Sequence, residues 1–571
     1  MNNRLKKTSV WMPLVIALSV VVGMWLGNTF FNNSAKWSSR SKLDNILKSV
    51  DNFYVDDIDT DSLLEVSFSD LLSHLDPHSV YIPASDLQTV NEELGGSFSG
   101  IGISFNLLND TINVLEVISG GPSEKAGLLA GDRIVAINDT VVAGQNWSDV
   151  KVMSSLRGLK GSSVKLTVKR HTSKKMLDFD VVRGDIPLNS VDAAYMIRPT
   201  IGFIKITKFS ATTYSEFLTS MINLVSKGAT QFIIDLRGNG GGFMDPAVLI
   251  ANEFLPAGSP IVSMRGKSTP DTTPTLSDGS GSFNSNELII LIDETSASAS
   301  EILSGAIQDN DRGLVIGRRS FGKGLVQNQM MLPDSSAIRL TIARYYTPSG
   351  RCIQKDYSHG KDYNRDIVNR YEHGEFYNAD SIKLDKSIAY ETLNGRTVYG
   401  GGGIMPDIFV PNDTTGITSY YINVINAGLI QKYTFDYADR NRQQLEGAES
   451  AAEILKKLPS DAMLLQDFVS YAKKAGVAPR PYYINISRNL IVSQLKAMIA
   501  RNVLNVQGYY EVANETDPTV LSAIEALTNG SASFPITADS KAVASQSVNN
   551  DNSSDETSEN TDDDTDSDEE V

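Results

Sequence analysis

Apolar segments alternate with amphipathic ones over residues 190–350, and this alternation constrains the fold more than any other feature of the chain. IGFIKIT, QFIID and ELIILI are short and almost wholly apolar, as expected of strands buried on both faces. Each precedes a segment with apolar residues at helical spacing, such as SASEILSGAIQDN. Strands alternating with helices predict a mostly parallel sheet covered on both sides. In such sheets, functional groups gather where strands end and helices begin.

Three motifs lie at such positions: DLRGNGGG at residues 235–242, TSASASE at residues 295–301 and SFGKGLVQ at residues 320–327. Glycines after a buried strand allow successive N–H groups to point into a cleft, as an oxyanion hole requires. A phosphate-binding loop would need Gly-Lys followed by Ser or Thr at its end. Phe243 and Met244 follow instead, so the first interpretation is favoured.

The serines of TSASASE directly precede a predicted helix. A hydroxyl there lies beside free N–H groups that stabilise an oxyanion, although serine is also a preferred helix cap. A serine nucleophile needs a base, and none of the five histidines falls in the three motifs. Lys323 does, between Gly322 and Gly324, with Gln327 four residues later. Lys323 is therefore the candidate base, the alternative being an ordinary surface lysine.

Residues 95–183 alternate short β-rich runs with glycine turns, which predicts a small, partly open β-barrel. The segment resembles a PDZ domain in SGIGI at residues 99–103, GPSEKAGLLAGD at 121–132 and IVAIN at 134–138. The resemblance implies that a peptide adds as a strand and that backbone N–H groups hold its terminal carboxylate. The residues implied are Gly100, Ile101, Gly102 and Ile103. Glycines that only relieve a β-bulge are the alternative.

The motifs, and the order of helical, PDZ-like and α/β segments over residues 40–410, resemble the C-terminal processing peptidases, also called tail-specific proteases. The resemblance implies a crotonase-like α/β serine-protease core. It assigns Ser298 as nucleophile, Lys323 as general base and Gln327 as the residue that supports the base. The oxyanion hole would combine the N–H of Ala299 with that of Gly241 or Gly242.

This family cleaves polypeptides near free, apolar C-termini and needs no cofactor, and the chain has no HExxH zinc motif. Three alternatives stay open at this point. One is a catalytically silent scaffold that binds peptides through the PDZ domain. Another is a tricorn-type peptidase with His78 as base. The third is a nucleophilic role for the single cysteine, Cys352, for which a buried inert thiol is the simpler interpretation.

The N-terminus predicts a membrane anchor. Arg4, Lys6 and Lys7 precede an apolar run at residues 10–27, which is long enough to span a bilayer. Basic residues before such a run place the N-terminus in the cytoplasm and the body outside it. We therefore expect a single-pass protein of the bacterial inner membrane with its catalytic body in the periplasm or exterior. A cleaved signal peptide is the alternative.

Charge excludes one class of partner. The formal net charge is −17, and residues 551–570 hold eleven acidic and no basic residues, which leaves −6 for the rest. An acidic body argues against nucleic acid. Polypeptide substrates and the membrane are the expected partners, and a homo-oligomer or an adaptor stays open. The predicted chain is multidomain, in this order: stub and anchor (1–30), N-terminal helices (40–95), PDZ domain (96–184), peptidase core (185–412), helical C-terminal region (413–535) and disordered acidic tail (540–571).

Overall fold

The computed structural model describes residues 5–31, 39–118, 120–267, 274–358, 362–363, 365–383 and 385–530, and for residues 5–10 and 25–31 it describes the backbone alone. The chain divides into two compact units, Met1–Pro83 and Ala84–Val571. The predicted acidic tail lies outside the described residues.

The described part of the first unit is mainly helical, with α1 (Leu5–Phe31), α2 (Ser39–Phe53), α3 (Thr60–Ser73) and the short strand β1 (Val80–Ile82). The carboxylate of Asp59 accepts the N–H of Asp61 and caps α3. Asp76 accepts the N–H groups of His78 and Ser79, which closes the turn at LDPHS. The predicted anchor falls within α1. Among the helices whose residues the structure describes, none combines the length and apolar character needed to cross a bilayer.

The second unit begins with α4 (Ala84–Gly95) and continues into a β-domain. Its elements are β2 (Ser97–Gly100), β3 (Ile103–Leu108), β4 (Thr111–Val117), α5 (Pro122–Ala126), β5 (Arg133–Ile137), β6 (Thr140–Val141), α6 (Asp149–Leu156), β7 (Ser163–Lys169), β8 (Leu177–Val182) and β9 (Gly184–Pro187). The antiparallel sheet runs β3-β4-β5-β7-β8, with β6 paired to β5. Pro122 begins α5, and Gly127 ends it at φ 93°, which only glycine adopts readily. The predicted succession of short strands is confirmed, and the sheet ends in two edge strands, β3 and β8.

The part of the chain from residue 191 to residue 409 alternates strands and helices, as predicted. Its elements are β10 (Val191–Arg198), β11 (Ile201–Ile206), α7 (Thr213–Ser226), β12 (Gln231–Asp235), α8 (Met244–Phe254), β13 (Pro260–Gly266), β14 (Thr275–Leu276), β15 (Glu287–Ile292), α9 (Ala299–Asp309), β16 (Leu314–Gly317), β17 (Leu325–Met331), β18 (Ala337–Tyr346), α10 (Asp366–Glu372), a 3-10 turn (Ala379–Ser381), β19 (Ala389–Glu391), β20 (Thr397–Tyr399) and β21 (Ile408–Phe409).

The main sheet has the order β10-β11-β12-β15-β16-β21. Its first strand is antiparallel to the second, and the remaining neighbours are parallel. Successive side chains of a strand point to opposite faces, so Phe232 and Ile234 enter one core with α7, α8 and α9, while Ile233 enters another. A second antiparallel sheet pairs β18 with β13 and β17. It brings β18 beside the carboxyl edge of the main sheet.

The C-terminal region is helical, as predicted. It comprises α11 (Ser419–Asn426), α12 (Leu429–Arg440), α13 (Arg442–Leu445), α14 (Ala451–Lys457), α15 (Asp461–Lys474), α16 (Pro481–Ile486), α17 (Arg488–Ala513) and α18 (Pro518–Thr528). Most of these helices share a core that includes Tyr433, Phe468 and Leu495. The last helix, α18, instead packs Val520 and Ala523 against the second face of the main sheet. The sequence did not predict that α18 would cover this face of the sheet.

Candidate active site

The three motifs converge on one cleft at the carboxyl edge of the parallel sheet. DLRGNGGG begins in β12, TSASASE follows β15, and SFGKGLVQ runs from the loop after β16 into β17. Because β12, β15 and β16 are neighbours, their carboxyl ends meet. The cleft has a volume of about 730 Å³. All six residues that the sequence assigned to catalysis and the oxyanion hole line it: Gly241, Gly242, Ser298, Ala299, Lys323 and Gln327.

Ser298 occupies a strained turn between β15 and α9. Its backbone lies at φ 56° and ψ −114°, a conformation that costs a non-glycine residue on the order of 1–3 kcal/mol. The helix begins at the next residue, Ala299, whose N–H has no intrahelical acceptor. The turn therefore presents a half-buried serine side chain to the cleft beside the N–H of Ala299, the first residue of the helix.

Asn239 fastens the glycine loop to this turn. Its backbone oxygen accepts the N–H of Ala297 at 3.0 Å and the hydroxyl of Ser300 at 2.9 Å. Its side-chain amide donates to the carbonyl of Ile206, at the end of β11, at 3.1 Å. Asn239 is fully buried. Through these hydrogen bonds it joins the end of β11 to the turn that contains Ser298.

Gly241 and Gly242 differ in what their N–H groups do. The N–H of Gly241 donates to Asn239 Oδ1 at 2.8 Å. Gly242 forms a parallel β-bridge with Phe209. In this bridge the N–H of Phe209 donates to the carbonyl of Gly241, and the carbonyl of Phe209 accepts the N–H of Phe243. In such a bridge the N–H of the middle residue points away from the partner. Within the described residues, the N–H of Gly242 has no protein acceptor, and Gly242 lines the cleft.

Gly241 also sets how closely the loop can approach the serine. A Cβ added at Gly241 would lie 2.7 Å from Ser298 Cβ and 3.1 Å from the backbone nitrogen of Ala299. The residue has φ +101°, a value that favours glycine. Only glycine therefore fits between this loop and the serine turn.

The buried carboxylate of Glu301 joins the serine turn to the lysine loop. Its Oε2 accepts the N–H of Ser298 and the N–H of Lys323, both at 2.8 Å. Its Oε1 accepts the N–H of Gly322 at 2.7 Å and the hydroxyl of Ser320. Burial raises the pKa of Glu301, and these four hydrogen bonds oppose that effect by favouring the carboxylate.

Tyr345 makes a second connection on the carbonyl side. Its hydroxyl oxygen lies 2.8 Å from the backbone oxygen of Lys323 and 3.1 Å from that of Ser298, so its single proton is shared between the two acceptors. The side chain is buried, and burial holds the pKa of the Tyr345 hydroxyl well above its usual value. The hydroxyl therefore stays protonated and continues to donate at any physiological pH.

Lys323 and Gln327 also line the cleft. The lysine is half-buried and precedes β17, whereas Gln327 lies within that strand. The Nε2 of Gln327 is buried and has no hydrogen-bond partner among the described residues. Buried amides are normally satisfied, so this group is available to a neighbour or a ligand in the cleft.

A second groove lies in the β-domain, with a volume of about 560 Å³. The predicted peptide-binding segment, Gly100 to Ile103, lines one side, and Met153, Leu156 and Arg157 line the other. The Arg157 guanidinium lies 4.5 Å from the ring centroid of Phe98. The groove thus combines the edge of β3, an apolar surface and the cation of Arg157.

Two important residues were missed by the sequence reasoning. Glu301 was quoted within TSASASE but was given no role, although a carboxylate among small residues was a usable signal. Tyr345 carried no signal, because it comes from β18 of the other sheet. His78, the alternative base, belongs to the first unit.

Comparison with known families matches three segments of the chain. Residues 200–364 match peptidase family S41, residues 99–181 match the PDZ domain, and residues 420–505 match a family of unknown function, DUF8443.

Two curated relatives are similar to more than half of this chain. The carboxy-terminal-processing protease of Bartonella bacilliformis is 35% identical over 57% of this chain and 74% of its own length. A probable CtpA-like serine protease of Staphylococcus aureus is 32% identical over 59% of this chain and 66% of its own length. Among solved structures, the photosystem II D1 C-terminal processing protease is 24% identical, with a TM-score of 0.34, over 66% of this chain and 87% of that one.

Proposed function

The chain belongs to peptidase family S41, the family of the carboxy-terminal-processing proteases, and we propose that it cleaves polypeptides near their C-termini through a Ser298–Lys323 dyad. It is a serine-type peptidase with a PDZ domain that recognises peptides. The observation that carries the dyad is the shared cleft, in which a strained serine and a half-buried lysine are tied by the same carboxylate.

In the proposed first step, Ser298 Oγ attacks the scissile carbonyl while its proton passes to the neutral amine of Lys323. The Oγ–C bond forms and the carbonyl π electrons move to oxygen. When the tetrahedral intermediate collapses, the C–N bond breaks and Lys323 returns the proton to the leaving amine. Water then repeats the sequence on the acyl-enzyme, with Lys323 again as base. Protons and bonds balance without a cofactor.

The negative oxygen would be held by the N–H groups of Gly242 and Ala299. The N–H of Gly241 already donates to Asn239, whereas those of Gly242 and Ala299 find no acceptor within the described residues. Two preorganised donors beside the nucleophile are what an oxyanion hole requires. Gly241 then serves as the spacer that lets Gly242 approach.

Gln327 is assigned to the lysine amine. A neutral amine has one lone pair and accepts a hydrogen bond, whereas an ammonium group only donates. The buried amide of Gln327 can donate to the neutral form and thereby favour the state that acts as base. Lys323 is followed by Leu325 on the same wall, which adds apolar surface.

Substrate capture is assigned to the groove of the β-domain. A peptide would pair with β3 and leave its carboxylate at the N–H groups of Gly100 to Ile103. Met153 and Leu156 would contact the terminal side chain, which fits a preference for apolar C-termini.

The proposal extends to location: the chain is held in the bacterial inner membrane by residues 10–27, with the body in the periplasm. The support is the basic cluster Arg4, Lys6 and Lys7 before the apolar run and the helix that covers it, α1. Exported proteins are then the substrate class.

The experiment compares exported-protein termini between cells that carry the wild-type chain and cells that carry Ser298→Ala. We expect a set of proteins to keep longer C-termini in the variant. The purified wild-type chain should also react at Ser298 with a serine-directed fluorophosphonate. No labelling together with unchanged termini would support the peptide-binding scaffold instead.

A further inference from the structure

Ser298 and Lys323 come from separate segments that no covalent turn holds together. Ser298 ends the loop after β15, and Lys323 lies in the loop between β16 and β17. Proton transfer between their side chains is sensitive to distance, and a displacement of about 1 Å can cost a hundredfold in rate. Something in the fold must fix one backbone segment against the other.

We propose that Glu301 and Tyr345 are the positioning residues that fix it; the inference rests on the proposed dyad. Glu301 accepts the N–H of Ser298 and that of Lys323 on a single oxygen. Tyr345 donates to the carbonyl of each. The N–H groups of Ser298 and Lys323 therefore share one acceptor, Glu301. Their C=O groups share one donor, Tyr345.

Each bridge binds backbone atoms of Ser298 and Lys323 and uses neither of their side chains. Glu301 belongs to α9 and Tyr345 to β18, so helix and second sheet hold the pair from different directions. Glu301 and Tyr345 are both buried, where the hydrogen bonds are shielded from water and strengthened.

The first test is Tyr345→Phe, measured as steady-state cleavage of a peptide. We expect kcat to fall about tenfold with KM nearly unchanged, because the lost bridge disturbs alignment and not binding. The matched control is Tyr433→Phe, which removes another buried tyrosine hydroxyl, bonded to Asp467 Oδ2 at 2.9 Å, in the helical region. The control should lose similar stability and keep kcat.

The second test is Glu301→Gln. Whichever way the amide lies, its NH2 faces two donors, so one pair of hydrogen bonds is lost. We expect kcat to fall about a hundredfold and the pH profile of kcat to shift. Equal kcat in wild type and Tyr345→Phe would overturn the inference, as would an equal loss in Tyr433→Phe. If wild-type cleavage does not require Ser298, the proposed dyad fails instead.

A second inference concerns the helical region, and a separate set of contacts carries it. The β-domain joins the core through the paired strands β2 and β9. A two-stranded connection alone permits hinge motion. The helical region supplies a further contact: Arg133 of β5 lies 3.4 Å from Asp439 Oδ2 of α12. A side chain at Gly131 would collide with Arg442 of α13.

The same region is fixed to the core. Arg237 donates to both oxygens of Asp517 at 3.0 and 2.8 Å, and Tyr195 of β10 exchanges hydrogen bonds with Tyr510 and Asn514 of the helical region. We infer that the helical region is a brace that holds the peptide groove at a set orientation to the catalytic cleft.

A fixed orientation matters for a substrate whose C-terminus is bound in the peptide groove. The effective concentration of its scissile bond at the catalytic cleft then depends on the distance and orientation between the groove and the cleft. This consequence rests on the proposed capture of substrate by the PDZ domain. The fixed orientation of the β-domain relative to the core can be measured without any substrate.

The test uses full-length protein with spin labels at Lys174→Cys in the β-domain and Asn223→Cys in α7, in a Cys352→Ser background. We expect a narrow distance distribution that broadens in Arg133→Asp and narrows again when Asp439→Arg is added. Lys165→Asp is the control, since its partner Asp139 lies within the same domain, at 2.8 Å, and it should change nothing. Equal distributions with and without Arg133→Asp would overturn the brace, whatever the activity.

Discussion

At the scale of single residues, the site is built from backbone groups as much as from side chains. Ser298 is held in a strained conformation. Its backbone N–H is bonded to Glu301 and its backbone C=O to Tyr345. Strain of this kind persists only where the surroundings over-determine it. Substitutions that alter the fit around the backbone should therefore affect activity strongly.

Gly241→Ala is expected to abolish activity. Its Cβ would collide with Ser298 Cβ and with the carbonyl of Ala297, and the residue has φ +101°. Gly240→Ala is the matched control, because a Cβ there meets nothing within 4 Å. Peptide cleavage by both variants, with thermal unfolding as a check, measures the effect. Comparable turnover in the two variants would contradict the close approach described for Gly241.

Lys323→Arg is expected to be close to inactive, although it keeps the positive charge. A base must lose its proton, and a guanidinium group stays protonated. Ser298→Ala and Lys323→Ala should each be inactive, and the double variant hardly worse, because the pair acts as a unit. Near-normal kcat in Lys323→Arg would exclude the lysine as base and return attention to His78.

These residues also show how far the sequence could predict the site. The motifs placed Ser298, Lys323, Gln327 and the glycine loop in one cleft, since strands that alternate with helices have neighbouring carboxyl ends. They could not choose between Gly241 and Gly242, because that depends on the amide of Asn239. The role of Tyr345 could not be predicted from the sequence, because its position depends on the packing of a second sheet.

At the scale of elements, the peptide groove is formed by β3 and α6 with the loop between β2 and β3. Its exposed strand edge can pair with a peptide strand, and the loop N–H groups can donate to a carboxylate. Regular alternation predicted the strands of this domain, but the pairing of β2 with β9, which joins it to the core, had no local signal.

A peptide with a free, apolar C-terminus should bind Ser298→Ala at least about tenfold more tightly than the same peptide with a C-terminal amide, given the energy of hydrogen bonds to a charged group. Fluorescence anisotropy measures both. Acetylation of the peptide's N-terminus is the control modification and should change little. Equal affinity for acid and amide would indicate that the glycines only relieve a β-bulge.

The end of β12 carries an ion-pair network that joins three elements. Asp235 bonds to Lys205 of β11 and to Arg237, which bonds in turn to Asp517 before α18. Burial alone would raise the pKa of Asp235, but Arg237 and Lys205 outweigh it and lower the pKa to about 2.

Because the folded pKa lies below the unfolded value of about 4, this network stabilises the fold above pH 4 and loses its effect as pH falls through about 2. Asp235→Asn should therefore lower the free energy of unfolding by about 3 kcal/mol near neutral pH. Urea unfolding at several pH values would measure it. A difference that persists unchanged down to pH 2 would contradict the linkage.

At the scale of the whole molecule, the order of segments along the chain sets what each can reach. The expected orientation places everything after residue 27 outside the cytoplasm. Protease added to spheroplasts should degrade the body and leave an N-terminal stub. Replacing Arg4, Lys6 and Lys7 with Glu should weaken that orientation. A body protected from the protease in intact spheroplasts would show that the topology is wrong.

The place of α18 has a further consequence for the timing of activity. Chains are synthesised and fold from the N-terminus onward, yet Arg237, which directly precedes the glycine loop, depends on Asp517 near the last described helix. A nascent chain that ends before residue 517 already contains Ser298 and Lys323 but lacks this support and the helix that closes one face of the sheet. We therefore expect a nascent chain to hold its catalytic loop firmly only once residues 517–528 have been made and have packed against the sheet.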